Sequence, residues 1–217
     1  MKNYKNILFD LDGTLINPKE GITNSVKYAL EYFGIKVKTT EELYKFIGPP
    51  LRESFSQYYR FNEKDTEMAI TKYREYFKEK GVFQNVLYKG VPELLNKLVS
   101  ENKNLIIATS KAEVFAKQIL DNLDISKYFS FICGSTLDGT RSKKGEVIQY
   151  ILSSTNLNPE DSVMIGDKSH DIIGAKQTKL DSIGVLYGYG NYTELQNAGA
   201  TYIVKNITEL QAQLLAN

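Results

Sequence analysis

The sequence predicts an α/β fold, a parallel sheet covered by helices on both faces, interrupted by an all-helical insertion. Three features carry that reading. Short apolar runs of strand length, with no polar alternation, recur at residues 7–9, 105–108, 131–133, 163–165, 183–186 and 202–204, as expected of strands buried on both sides. Helical patterns separate the later runs, and strand alternating with helix marks a parallel sheet. From residue 18 to residue 88 that rhythm stops, leaving helical periodicity and no convincing strand.

The elements follow in order. The first run ends in "DLDGT", residues 10–14, so two carboxylates, Asp10 and Asp12, meet the end of an apolar strand. Then "EGITNSVKYALEYFG" places Ile22, Val26, Ala29, Leu30 and Phe33 on one stripe, and "NEKDTEMAITKYREYFKEKG" does the same with Met68, Ile70, Tyr73, Tyr76 and Phe77. These aromatic stripes are read as a helix-bundle core. Between them Gly48-Pro49-Pro50 cannot continue a helix, because proline fixes its own φ and biases the preceding residue away from the α region. Arg52 would then sit in the first turn of a new helix. Later helices are expected at 91–100, with Pro92 tolerated in the first turn, and at 112–123, 145–154, 171–177 and 192–198. The domains are drawn at 1–17 and 89–217 for the α/β core and 18–88 for the helical insertion.

Composition narrows the function. The 217 residues are 42% hydrophobic and 24% charged, with a formal net charge of +1, an ordinary globular balance that suggests no nucleic-acid or membrane-surface binder. Cys133, the single cysteine, excludes a disulfide framework or a cysteine metal cluster. The opening MKNYKN leads straight into the first strand, so neither a signal peptide nor a membrane span is expected, and the cytoplasm is the default location.

The strand ends carry the chemistry. In open α/β sheets, ligands bind outside the carboxyl ends of the strands. Asp10 and Asp12 lie there, as do Thr109, Ser110 and Lys111 after the second run, and Asp167 and Asp171 after the fourth. Two neighbouring carboxylates persist only with a shared cation or a shared proton, and one can then attack while the other moves a proton. Such an acidic cluster suits a hard divalent cation, foremost Mg²⁺, while hydroxyls, amides and a lysine suit phosphate oxygens.

D-L-D-G-T (10–14), the strand ending in Thr109, a lysine at 143 or 144, and G-D-x-x-x-D (166–171), in this order, resemble the four motifs of the haloacid dehalogenase superfamily. The insertion resembles the helical cap of its phosphoglycolate phosphatase-like members. The resemblance implies a Rossmann-like core of strand order 5-4-1-2-3 or its mirror, with the first strand central. It implies Asp10 as nucleophile forming an aspartyl-phosphate, and Asp12 as general acid and base. Thr109, with amides near Gly13 and Ser110, would hold the phosphoryl group, and the motif lysine would neutralise it. Mg²⁺ would be held by Asp10, the Asp12 carbonyl, Asp167 and, nearby, Asp171. The third motif departs from the usual lysine-proline, since Ser142-Lys143-Lys144-Gly145 offers two lysines; the stripe Val147, Ile148, Ile151 favours Lys144. His170, the single histidine, reads as a polar loop residue and Cys133 as a small buried one.

The expected activity is hydrolysis of a small phosphorylated metabolite, phosphoglycolate or a nucleoside monophosphate, with Arg52 of the cap reading its non-reacting part. A phosphosugar mutase and a non-catalytic binding module are the alternatives. Asp12 argues against a dehalogenase, and nothing marks Lys27, Lys36 or Lys38 as the Schiff-base lysine of a phosphonatase. Oligomeric state is not legible.

Overall fold

The computed structural model describes residues 2–215. In chain order the elements are β1 (Asn6–Phe9), β2 (Ile16–Asn17), α1 (Lys19–Tyr32), a 3₁₀ segment (Thr40–Phe46), α2 (Leu51–Tyr59), α3 (Glu63–Glu79) and β3 (Val86–Leu87). There follow α4 (Val91–Ser100), β4 (Asn104–Ala112), α5 (Glu113–Asn122), β5 (Phe131–Ser135), α6 (Lys144–Thr155), β6 (Ser162–Gly166) and α7 (Ser169–Gln177). The chain ends with β7 (Asp181–Val185), α8 (Tyr192–Ala198), β8 (Tyr202–Val204) and α9 (Ile207–Leu215). It divides into two compact units: residues up to Asn17 with those from Leu87 onward, and Pro18–Val86.

The first unit is an α/β core. Its six strands run β5-β4-β1-β6-β7-β8, parallel in every pairing. β1 is central between β4 and β6, as the family resemblance implies, and β8 adds a sixth strand at the β7 edge. Side chains alternate across the sheet. Leu8, Ile106 and Met164 pack with Val147, Ile148 and Ile151 of α6 on one face, while Ile7, Phe9, Ile107 and Ile165 are fully buried on the other. That two-sided burial explains the uninterrupted apolar runs. Cys133 lies in the first of these clusters, and burial pushes its thiol up to about 11.

The second unit is helical. Phe46, Phe55 and Phe61 form its aromatic centre, with ring centroids 5.0 and 6.1 Å apart in sequence. On α3 the buried residues are Thr66, Ala69, Ile70, Tyr73 and Phe77. Met68, expected on that stripe, is exposed, and Tyr76 is half-buried against Tyr28 at 5.7 Å. Ile70, Tyr73 and Phe77 keep the expected stripe, and Thr66 and Ala69 complete it; being small or polar, these two carry no apolar signal. Gly48 takes a positive φ of 103° and α2 starts after Pro50, so the chain breaks where Gly48-Pro49-Pro50 requires.

Three local differences arise from tertiary contacts. β3 lies in the stretch expected to hold no strand; two residues are too few to show a period. β2 and β3 form a separate two-stranded sheet. β4 runs past Ala108 to Ala112, its pairing with β5 shifting register between those residues, so the polar "TSK" is strand despite its composition. α9 follows β8 and buries Leu210 and Leu214, only two large side chains.

Candidate active site

The site is built at the carboxyl ends of β1, β4 and β6. β1 delivers Asp10, whose amide donates to the Ile165 carbonyl at 2.8 Å. The chain then closes a tight loop: the amides of Thr14, Leu15 and Ile16 all converge on the Leu11 carbonyl at 3.0–3.3 Å. Gly13 sits in this loop with φ +86°, and a Cβ there would lie 2.3 Å from Asp167 Oδ2. Both the left-handed backbone and the approach of a carboxylate demand glycine.

β6 ends at Gly166 and hands over to Asp167 and then α7, which carries Asp171. A Cβ on Gly166 would meet Asp171 Cγ at 2.2 Å, so the glycine lets the helix fold its acid back over the strand end. The Lys168 amide donates to Asp171 Oδ2 at 3.1 Å. One oxygen from each of Asp10, Asp167 and Asp171 falls within a 4.8 Å set, and all three residues are buried.

Two ammonium groups enter this cluster. Lys144 Nζ donates to Asp10 Oδ1 at 2.6 Å and to the Ala108 carbonyl at 2.7 Å, and pairs with Asp171 Oδ1 at 2.8 Å. Lys143 is exposed at the start of α6, so of the two lysines it is Lys144 that reaches the acids. Lys111 Nζ pairs with Asp12 Oδ2 at 2.9 Å, and both side chains are more than nine-tenths buried.

Burial dominates the electrostatics. It raises Asp12 against the opposing pull of Lys111. It lifts Asp167 well above the usual carboxylate range, with Asp171 and Asp10 adding to the rise, and it pushes Asp171 up to about 6 although Lys144 opposes it. Burial alone would lower Lys144; the charges of Asp10 and Asp171 outweigh it and hold the ammonium above its ordinary value. Acids raised in this way take up a proton or a cation.

The donor set fits a hard divalent cation. Asp167 Oδ1 and Asp12 Oδ1 are buried without a hydrogen-bond partner among the described residues, an expensive arrangement unless a ligand satisfies them. Four carboxylates face two ammonium groups here, a formal excess of two negative charges. Oxygen donors of this charge match a Ca²⁺- or Mg²⁺-type ion.

The remaining expected residues are placed as follows. Thr109 is buried, its hydroxyl accepting from the Lys111 amide at 3.2 Å, and Ser110 is half-buried on the same strand. His170 is exposed on the first turn of α7, on a helix rather than in the expected loop. Arg52 lies in the helical unit, half-exposed, and pairs with Glu67.

Sequence reasoning placed Lys111 among the strand-end groups without pairing it with Asp12, and missed the segment after β7 altogether. There the Tyr189 amide donates to Asp167 Oδ2 at 2.7 Å and the Tyr187 hydroxyl donates to the Thr14 carbonyl at 3.0 Å. The signal was "YGYG", residues 187–190, two glycines beyond a strand end.

Comparison with known proteins identifies the family. The haloacid dehalogenase-like hydrolase family model matches residues 7–185. A 5′-nucleotidase of Pseudomonas aeruginosa is 44% identical over 97% of this chain and 96% of its own. Tyrosine-protein kinase PtkA of Mycobacterium tuberculosis is 34% identical over 93% of this chain and 69% of its own. The crystal structure of a predicted phosphatase from Clostridium acetobutylicum superposes with a TM-score of 0.97 at 49% identity, covering 100% of both chains. The chain therefore belongs to the haloacid dehalogenase-like hydrolase family, an enzyme whose relatives include phosphatases and a 5′-nucleotidase.

Proposed function

We propose that this protein is a Mg²⁺-dependent phosphatase that hydrolyses a small phosphomonoester through an aspartyl-phosphate on Asp10, and that the substrate is a nucleoside monophosphate. The observation that carries the reading is the separate pairing of the two strand-end acids, Asp10 with Lys144 and Asp12 with Lys111. It gives two carboxylates two environments, the usual mark of divided labour between nucleophile and acid–base.

In the first step an Asp10 carboxylate oxygen attacks phosphorus. The ester P–O bond breaks, its electron pair passes to the leaving oxygen, and Asp12 supplies the proton. In the second step Asp12 takes a proton from water, whose oxygen attacks the same phosphorus. The P–O bond to Asp10 breaks, releasing phosphate and restoring the carboxylate. Burial raises Asp12, which favours the protonated form the first step needs. Thr109 and the amides near Gly13 and Ser110 would hold the phosphoryl oxygens, with Lys144 neutralising their charge. Asp10, Asp167 and the Asp12 carbonyl would hold Mg²⁺, with Asp171 beside them; the ion's chemistry is to screen the approach of one anion to another. Arg52 is the proposed reader of the substrate's non-reacting part, its planar fork suited to carboxylate or phosphate.

Phosphoglycolate was the other expected substrate. The 44% identity to a protein named 5′-nucleotidase weighs for the nucleotide. The test is phosphate release from a panel of nucleoside monophosphates, sugar phosphates and phosphoglycolate, with Mg²⁺ and with EDTA. Release from nucleoside monophosphates, silenced by EDTA and restored by Mg²⁺, is expected. Isomerised sugar phosphate without free phosphate would replace the reading with a mutase, and an inert protein would leave a binding module.

A further inference from the structure

The segment Tyr187–Gly190 touches both acid-bearing turns of the site. The Tyr187 hydroxyl donates to the Thr14 carbonyl at 3.0 Å. The Tyr189 hydroxyl donates to Asn17 Oδ1 at 2.5 Å, and its amide to Asp167 Oδ2 at 2.7 Å. Between these tyrosines the backbone lies hard against the same two turns. A Cβ on Gly188 would meet the Gly13 carbonyl at 2.3 Å and Asp167 Cβ at 2.4 Å; one on Gly190 would meet the Asp167 carbonyl at 1.8 Å. Tyr88 packs edge-on to Tyr187 with centroids 5.2 Å apart, and its amide donates to the Leu15 carbonyl at 3.1 Å. The turn 13–17 is thus held by hydroxyls and amides from residues far away in sequence.

The Asp167 carboxylate shows what this accomplishes. One oxygen is occupied by the Tyr189 amide, which fixes the rotation of the group. The other is left without a partner among the described residues, and Asp167 belongs to the carboxylate set with Asp10 and Asp171. A carboxylate held by one oxygen presents the other in a single direction, which is how outer hydrogen bonds orient a ligand group.

We propose that Tyr187 and Tyr189 are positioning residues: they clamp the Gly13–Asn17 turn and the Asp167 carboxylate into one body, so that the acids on β1 and β6 keep the spacing the reaction needs. The proposal rests on the phosphatase reading for its effect on turnover, but the clamp is a property of this chain alone. It acts on catalysis through the acids, and neither tyrosine touches the reacting atoms.

The experiment compares wild type with Tyr187→Phe, Tyr189→Phe and the double variant, each keeping its ring and its glycine neighbours. Amide hydrogen exchange reads the clamp without any reaction. Exchange at Thr14, Leu15 and Ile16 should rise about tenfold in the double variant, while the amides of α4 stay as in wild type. Calorimetry of the substrate-free protein should show Mg²⁺ binding weakened about 10-fold, the lower end of the range for lost outer partners of a metal site. In turnover, kcat should fall and KM for a nucleoside monophosphate should stay within about twofold, a split that general loosening of the fold would not give. Unchanged exchange in residues 14–16 would overturn the clamp, and so would faster exchange with wild-type Mg²⁺ affinity and kcat. A wild-type protein that hydrolyses no phosphomonoester would defeat the phosphatase reading instead, with exchange still deciding the clamp.

Discussion

The two units use charge in opposite ways. In the α/β core, Lys144 with Asp10 and Asp171, and Lys111 with Asp12, are ion pairs buried to more than nine-tenths. In the helical unit, Arg52–Glu67 and Lys72–Glu75 lie at the surface, and the interior is aromatic: Phe46, Phe55, Tyr73 and Phe77 are buried without a charge among them. Buried ion pairs are poor devices for stability, since desolvation offsets most of their attraction and an apolar replacement often does as well. Several of them at the ends of apolar strands are what the proposed chemistry would require. The helical unit shows what the same chain does where stability is the aim.

The strongest way to break this comparison is to remove an acid. Asp10→Asn should bring turnover to background with the fold intact by circular dichroism, because an amide neither attacks phosphorus nor balances a cation. Asp12→Ala should slow the reaction by about 100- to 10,000-fold, the usual cost of losing general acid–base help. Rapid turnover by a deamidation-free Asp10→Asn protein would end the aspartyl-phosphate scheme.

Next in size is the contrast between adjacent lysines. Lys144→Ala leaves Asp10 and Asp171 buried without their ammonium, which should cost about 3–5 kcal/mol in stability as well as most activity. Lys143→Ala, at an exposed position, should stay within about 0.5 kcal/mol. Urea melts of the two variants check this, and equal costs would show that the buried pairing carries no special weight.

Arg52→Ala sharpens the other side of the comparison. Its pair with Glu67 is half-exposed, so stability should change by less than about 1 kcal/mol. KM for the best nucleoside monophosphate should rise, while p-nitrophenyl phosphate is cleaved nearly as before. A parallel loss on both substrates would deny Arg52 the specificity role.

The smallest effect concerns Asp181 at the amino end of β7. Burial pushes its carboxyl up, but hydrogen bonds from Lys2 and Tyr4 and the Lys2 charge outweigh that, leaving it below its ordinary value. A carboxyl depressed in the folded state adds stability above its unfolded value, about 3.9, and loses it as pH falls through the folded value. The melting-temperature gap between wild type and Asp181→Asn should therefore be constant near neutrality and close below about pH 4. A gap that persists at pH 3 would show that the carboxylate charge is not its source.

Much of the core was legible because its physics is local. Six apolar runs marked six strands, since a strand buried on both faces must be apolar throughout, and "DLDGT" with "GDKSHD" marked the acids because strand ends are where a parallel sheet meets ligands. Lys144 could be preferred to Lys143 from the stripe Val147, Ile148, Ile151, which sets which side of α6 is buried. Thr66 and Ala69 of α3 were not legible as core, because a small or polar residue becomes buried only by what packs on it. Nor was the extension of β4 through "TSK", which a neighbouring strand imposes.

By itself, then, the sequence determined the order of strands and helices, the helical insertion and the chemical types at the strand ends, all written in residues close along the chain. Only the tertiary structure decided which ammonium met which acid, and that Tyr187 and Tyr189 reach back to Thr14, Asn17 and Asp167. Most of those contacts join residues about a hundred positions or more apart, and the shorter ones, Lys144 with Asp171 and Tyr189 with Asp167, join different elements of the fold. A periodicity cannot encode them, because side-chain hydrogen bonds are chosen by distance in space after the sheet has closed.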